Sequence, residues 1–183
     1  MDSLENIIEK LNRGRIPANI LQEDRPKQNL NATQINLRIF LQKLVSHFQD
    51  THSEGLRTFE LHYGIDTEFI STDEKILSHC IYLLLLNAKE MTTNGMVIVA
   101  LTKNDSEILI AVKDSGEGIP EKKVNFILSD DSTSNTDTLN QLDIRYIEAK
   151  MLTEKNLGKL DIFSSHEAGT ICCLILPTKV RRF

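Results

Sequence analysis

Apolar residues recur with helical spacing in several stretches of the chain, and alternating runs lie between them. Leu4, Ile7, Ile8 and Leu11 predict a short helix over 3–13, ended by Gly14 and Pro17. Residues 14–32 are polar, hold two prolines and read as a linker. Leu37, Phe40, Leu41, Leu44, Val45 and Phe48 form one stripe, predicting a helix over 33–49 with Thr33 as its N-cap. Leu56–Tyr63 alternates and predicts a strand, with Thr67–Ile70 continuing the sheet after a break at Gly64. Ser71 and Glu74 have the spacing of a capping box. They precede a strongly apolar helix over about 73–91 that carries Leu77, Cys80, Ile81, Leu84, Ala88 and Met91 on one face.

Asn94-Gly95 reads as a hairpin-type turn. Met96–Thr102 and Ile108–Lys113 alternate and predict an antiparallel pair. A short helix over Glu121–Leu128 follows Pro120, then a polar loop over Ser129–Thr138. Leu139–Leu152 predicts another long helix, stopped by Gly158, and Lys159–Ser164 with Thr170–Leu176 a closing hairpin. Strands in hairpins with helices between them imply an α+β two-layer sandwich: a mixed, mainly antiparallel sheet covered by about three helices on one face.

Composition narrows the function. The chain of 183 residues has 26 acidic and 21 basic side chains, a net charge of −5, which argues against nucleic-acid binding by phosphate neutralisation. Lys179, Arg181 and Arg182 form a basic tail. The cysteines, Cys80, Cys172 and Cys173, sit in apolar runs without metal-ligand spacing, as expected of a reducing compartment. No apolar run reaches the roughly 18 residues of a membrane span, and the acidic, amphipathic N-terminus does not read as a signal peptide. A cytoplasmic location is the expectation.

The candidate chemistry lies where the strand ending at Lys113 runs into Asp114-Ser-Gly116-Glu-Gly118-Ile119-Pro120. Two glycines let the backbone turn sharply and approach a ligand, and the aspartate can accept a hydrogen bond from an amino group. A plain hairpin exit explains the same residues, and D-x-G-x-G arises by chance in roughly one chain of this length in twenty. Upstream, Asn87 stands within the apolar helix, just past Leu83–Leu86.

Asn87-Ala88 on a core helix, Asp114-x-Gly116-x-Gly118-Ile119-Pro120 after the next hairpin, and Ala168-Gly169-Thr170 leading into a last strand resemble, in order, the motifs of the GHKL ATPase superfamily. The chain is most similar to the ATP-binding (catalytic) domain of sensor histidine kinases, over about residues 33–178. Residues 1–32 resemble the end of a dimerisation helix and its linker arm, and 179–183 a basic tail. The resemblance implies that Asn87 holds the Mg2+ bridging the phosphates of ATP, through a hard oxygen ligand. It implies that Asp114 accepts from the adenine amino group, that Gly116 and Gly118 let the backbone close around the base, that Ile119 packs against it and that Thr170 supports the Asp114 end. Implied partners are a receiver domain or a histidine-bearing dimerisation domain, and a second copy of the chain through residues 3–13.

The sequence departs from that family pattern at three points. The second glycine box, whose backbone N–H groups cradle phosphates, corresponds to Thr136–Ile144, which holds no glycine and adds Asp137 and Asp143. Leu83 replaces the upstream polar member of the asparagine box, and Glu90 stands at its usual basic position beside Lys89. No phosphoacceptor histidine precedes the domain, since the first histidine is His47. Two functions are therefore expected in competition. One is Mg-ATP binding for phosphoryl transfer to a histidine outside this chain. The other is a degenerate pseudo-ATPase module that signals by protein–protein binding.

Overall fold

A computed structural model describes residues 31–65, 69–104, 106–133, 139–165 and 168–178. The predicted helix over 3–13 and the tail 179–183 lie outside the described residues. The elements are β1 (Thr33–Asn36), α1 (Leu37–Thr51), β2 (Leu56–Tyr63), β3 (Phe69–Thr72), α2 (Glu74–Met91), β4 (Asn94–Lys103), β5 (Glu107–Asp114), α3 (Glu121–Leu128), α4 (Gln141–Lys155), β6 (Lys159–Ser165) and β7 (Gly169–Pro177). A 3-10 turn spans Asp130–Thr133.

The main sheet has five strands in the order β2-β4-β5-β7-β6. All its pairings are antiparallel except β2 with β4, which is parallel and is reached by a crossover through β3 and α2. This is the mixed, mainly antiparallel sheet of the expected α+β sandwich, with four helices among the described residues.

Register places Val97, Val99 and Leu101 of β4 beside Ile108, Ile110 and Val112 of β5 and Cys172, Leu174 and Leu176 of β7 on one face. That face packs on the helices through Leu41, Phe48, Leu77, Ile81, Leu84, Ile127 and Ala149 in one core. Burying each large aliphatic side chain there contributes about 1.5–3 kcal/mol. The opposite face carries a separate buried cluster of Ala100, Leu109, Ala111, Ile171, Cys173 and Ile175, which contains no helix residue.

Several expected boundaries move. Residues 33–36 are a strand, not a first helical turn, because they pair antiparallel with β3. The N-cap of α1 is consequently Asn36, whose side chain accepts from the Ile39 N–H, and not Thr33. Ser71 lies in β3 opposite Gln34, so it cannot cap α2; Asp73 does so, accepting from Lys75 and Ile76 N–H. β3 pairs with β1 and does not extend the main sheet. Asn94-Gly95 opens β4, where Gly95 (φ +146°) lets the strand pass close to Ser115. α4 begins at Gln141 behind a capping box between Asn140 and Asp143.

Candidate functional site

β5 alternates inward and outward, and its last inward residue is Asp114, 3% exposed and opposite Val97. Asp114 Oδ1 accepts from Gly116 N–H (2.9 Å) and from Thr170 N–H (3.2 Å). Burial raises its carboxyl above the usual carboxylate range, and the hydrogen bonds from Gly116 and Thr170 pull it back down.

Three glycine positions around Asp114 leave no room for a Cβ. A Cβ on Gly116 would collide with the Met91 carbonyl oxygen at the end of α2. Gly118 (φ +79°) presses against the Ser165 carbonyl, and Gly169 (φ +80°) against the carbonyl of Asp114 itself. Ser164 ties the layers together. Its Oγ accepts from Ile119 N–H (2.7 Å) and lies 3.1 Å from Thr170 Oγ1. Asp114, Gly116, Gly118, Ile119 and Thr170 are thus brought together. The Ile119 side chain is itself part of the main core. Ser164 and the packing role of Gly169 were not singled out from sequence, because each acts only once β6 and β7 pair beside β5.

Asn87 stands apart from this cluster, fully buried on α2. Its Nδ2 donates to the Leu142 carbonyl (3.1 Å), and its Oδ1 accepts from Arg145 Nη1 (3.2 Å). The other guanidinium nitrogen, Nη2, lies 2.8 Å from Glu90 Oε1. Tyr146, next along α4, is buried with its hydroxyl beside the Asn87 and Thr170 side chains. Burial holds that hydroxyl well above the ordinary tyrosine range; Cys172 and Asp114 add to the rise, and Asn87 and Thr170 oppose it. Tyr146 therefore stands between the two ends of the site.

At the N-terminus of α4, where the resemblance places phosphates, a capping box already engages two N–H groups. Asn140 Oδ1 accepts from Asp143 N–H, and Asp143 Oδ2 accepts from Asn140 N–H. The Asp143 carboxylate also pairs with Lys123 Nζ at 2.9 Å. A carboxylate thus sits where an incoming anion would use the free N–H groups and the helix dipole.

The ion that the resemblance implies at Asn87 is magnesium. The ion needs several oxygen ligands in near-octahedral geometry. Most of these come from phosphates and water, so this chain's share is the Asn87 Oδ1, and it faces a guanidinium. In this arrangement the residues do not fit the ion, which would first have to displace Arg145. Neither Arg145 nor Tyr146 was foreseen. The loss of glycines before α4 was readable, but the side chains that fill the space were not.

Fold and motif positions together define an ATPase-fold domain of the histidine-kinase type. The sequence matches the family described as histidine kinase-, DNA gyrase B- and HSP90-like ATPase over residues 72–180, more than half the chain, and the protein belongs to that family. Members of that family bind ATP, generally with Mg2+. The chain is 27% identical over 166 residues to sporulation kinase A of Bacillus subtilis (strain 168), covering 90% of this chain and 27% of that kinase. It is thus similar to about a quarter of a longer protein. The catalytic domain of the histidine kinase ThkA, in a nucleotide-free form, superposes with a TM-score of 0.69 at 19% identity, covering 82% of this chain and 99% of that one. Full-length ShkA, in complex with AMPPNP, gives a TM-score of 0.69 at 16% identity, covering 86% of this chain and 33% of that one. No helix among the described residues is long and apolar enough to cross a membrane.

Proposed function

We propose that this chain is the nucleotide-binding-fold domain of a histidine-kinase-type signalling protein whose phosphate end is held shut by its own side chains. In this reading it is a pseudo-ATPase module that signals through protein contacts, not by Mg-ATP phosphoryl transfer. One observation carries the reading: Arg145 occupies the Asn87 oxygen that would otherwise serve magnesium. The capped N-terminus of α4 and its Asp143 carboxylate support it, since both disfavour a triphosphate. The partner fitting this family is a receiver domain or a histidine-bearing dimerisation domain. A cytoplasmic setting accords with three buried cysteines outside any disulfide.

A second reading, retained Mg-ATP binding, is favoured by the intact Asp114 cradle. Thermal unfolding of the purified chain with a nonhydrolysable ATP analogue, with and without magnesium, separates the two. A ligand at 100 times its dissociation constant adds about 2.7 kcal/mol of stability. The pseudo-ATPase reading expects no magnesium-dependent shift at millimolar nucleotide. It also expects binding to a receiver or dimerisation domain to be unchanged by nucleotide. A magnesium-dependent shift that Asn87→Ala removes would overturn it.

A further inference from the structure

Beside Asn87, a positive charge that the resemblance places on α2 stands on α4 instead. Glu90 occupies the usual basic position of the asparagine box, and Arg145 reaches across to it, Nη2 to Oε1 at 2.8 Å. The same guanidinium sets Nη1 on the Asn87 oxygen at 3.2 Å. A cation thus touches the atom to which the resemblance assigns magnesium. This cation belongs to the chain, and no chelator removes it.

Arg145 can do more than close the site. A guanidinium carries five N–H donors in a rigid fork whose geometry matches a phosphate. The contacts to Asn87 and Glu90 use two of the five. The side chain is 11% exposed, and in so sheltered a place a charge-assisted hydrogen bond to an anion is stronger than in open water. The Asp114 end also keeps spare capacity. Both hydrogen bonds to that carboxylate fall on Oδ1, and among the described residues no donor meets Oδ2. The two ends are joined by contact. Thr170 N–H donates to Asp114, the Tyr146 hydroxyl lies beside the Thr170 and Asn87 side chains, and Asn87 meets Arg145. Beyond Arg145 the surroundings turn against a further negative charge, because the capping box and the Asp143 carboxylate hold the start of α4.

We infer that Arg145 stands in for the metal, so that this chain takes an adenine nucleotide of one or two phosphates without magnesium, the base at Asp114 Oδ2 and the terminal phosphate on the Arg145 fork. A third phosphate meets the Asp143 carboxylate and adds no affinity. Magnesium competes with the guanidinium for the phosphate oxygens, so it weakens binding. No bond of the nucleotide is made or broken. The inference rests on the proposed reading at one point, that Arg145 keeps magnesium from Asn87.

The test is thermal unfolding of the full chain titrated with adenosine, ADP and ATP, in EDTA and in excess magnesium. In EDTA, ADP should stabilise the chain, ATP should bind no tighter, and magnesium should lessen the effect. Arg145→Ala should weaken ADP binding in EDTA by about tenfold or more, as expected for loss of a charge-assisted fork, and leave adenosine unchanged. Glu90→Gln releases the fork at a 44% exposed partner and should tighten ADP binding by about threefold; it decides the matter if Arg145→Ala does not fold. The inference is overturned if millimolar ADP in EDTA gives no stabilisation, or if binding appears only with magnesium. It is equally overturned if Arg145→Ala holds ADP as tightly as the parent, if Glu90→Gln binds it no tighter, or if ATP binds more tightly than ADP. Absence of any nucleotide effect leaves the pseudo-ATPase reading standing. Binding that needs magnesium and that Asn87→Ala removes defeats both.

Discussion

The two ends of the candidate pocket are built from different materials. The Asp114 end is made of backbone: Gly116, Gly118 and Gly169 bring main chain against main chain, and two N–H groups converge on one carboxylate oxygen. The Asn87 end is made of side chains: Arg145 bridges Asn87 and Glu90, and Lys123 pairs with Asp143. Backbone geometry fixed by glycines resists substitution. A side-chain network can be rewired one residue at a time. On the proposed reading, that difference is how one end could keep its form while the other changed.

The largest effect should come from Gly118→Ala, which adds left-handed strain and a clash with the Ser165 carbonyl. A loss of about 3 kcal/mol or more is expected, read by urea unfolding. A loss below about 1 kcal/mol would show that the turn is looser than its contacts imply. Asn87→Ala comes next. It strands the Leu142 carbonyl and one arm of Arg145, and should cost about 2 kcal/mol.

Arg145→Ala should cost less, about 1 kcal/mol, because its partner Glu90 is 44% exposed and solvent screens the pair. Its sharper readout is magnesium. If Arg145 alone bars the ion, the variant should show a magnesium-dependent nucleotide stabilisation larger than the parent's. If the variant stays indifferent to magnesium, the Asp143 cap and the missing glycines suffice to close that end.

The smallest effect has the opposite sign. Asp114→Asn keeps an oxygen to accept from Gly116 and Thr170 but removes a buried charge. The folded carboxyl titrates above its unfolded value, so its ionisation costs stability as pH rises from about 4 through the folded pKa. The variant should therefore match the parent in acid and melt slightly higher near neutrality, as differential scanning calorimetry at pH 3.5 and pH 7 would show. A variant less stable than the parent at pH 7 would mean that the carboxylate supports the fold and is not held there at its expense.

Much of this was legible beforehand. The D-x-G-x-G turn announced the Asp114 end because glycine and a strand-terminal acid act locally, and Thr170 joined it through the motif order. The Asn87 end was legible only as a deficit. That Arg145 meets Asn87, 58 residues earlier, follows from α2 packing against α4 and not from any local pattern. Thr33 and Ser71 misled as caps because their residue types suit capping, while the β1–β3 pairing had already claimed both backbones.

The sequence by itself determined the α+β alternation, the main helices, both hairpins and the glycine turn, because each rests on periodicity or conformational preference within a few residues. The tertiary structure decided that β2 runs parallel to β4, that β1 and β3 form a separate sheet, and that an arginine holds the asparagine expected to serve a metal. Those outcomes depend on which distant surfaces bury each other, and no short window of sequence contains both partners.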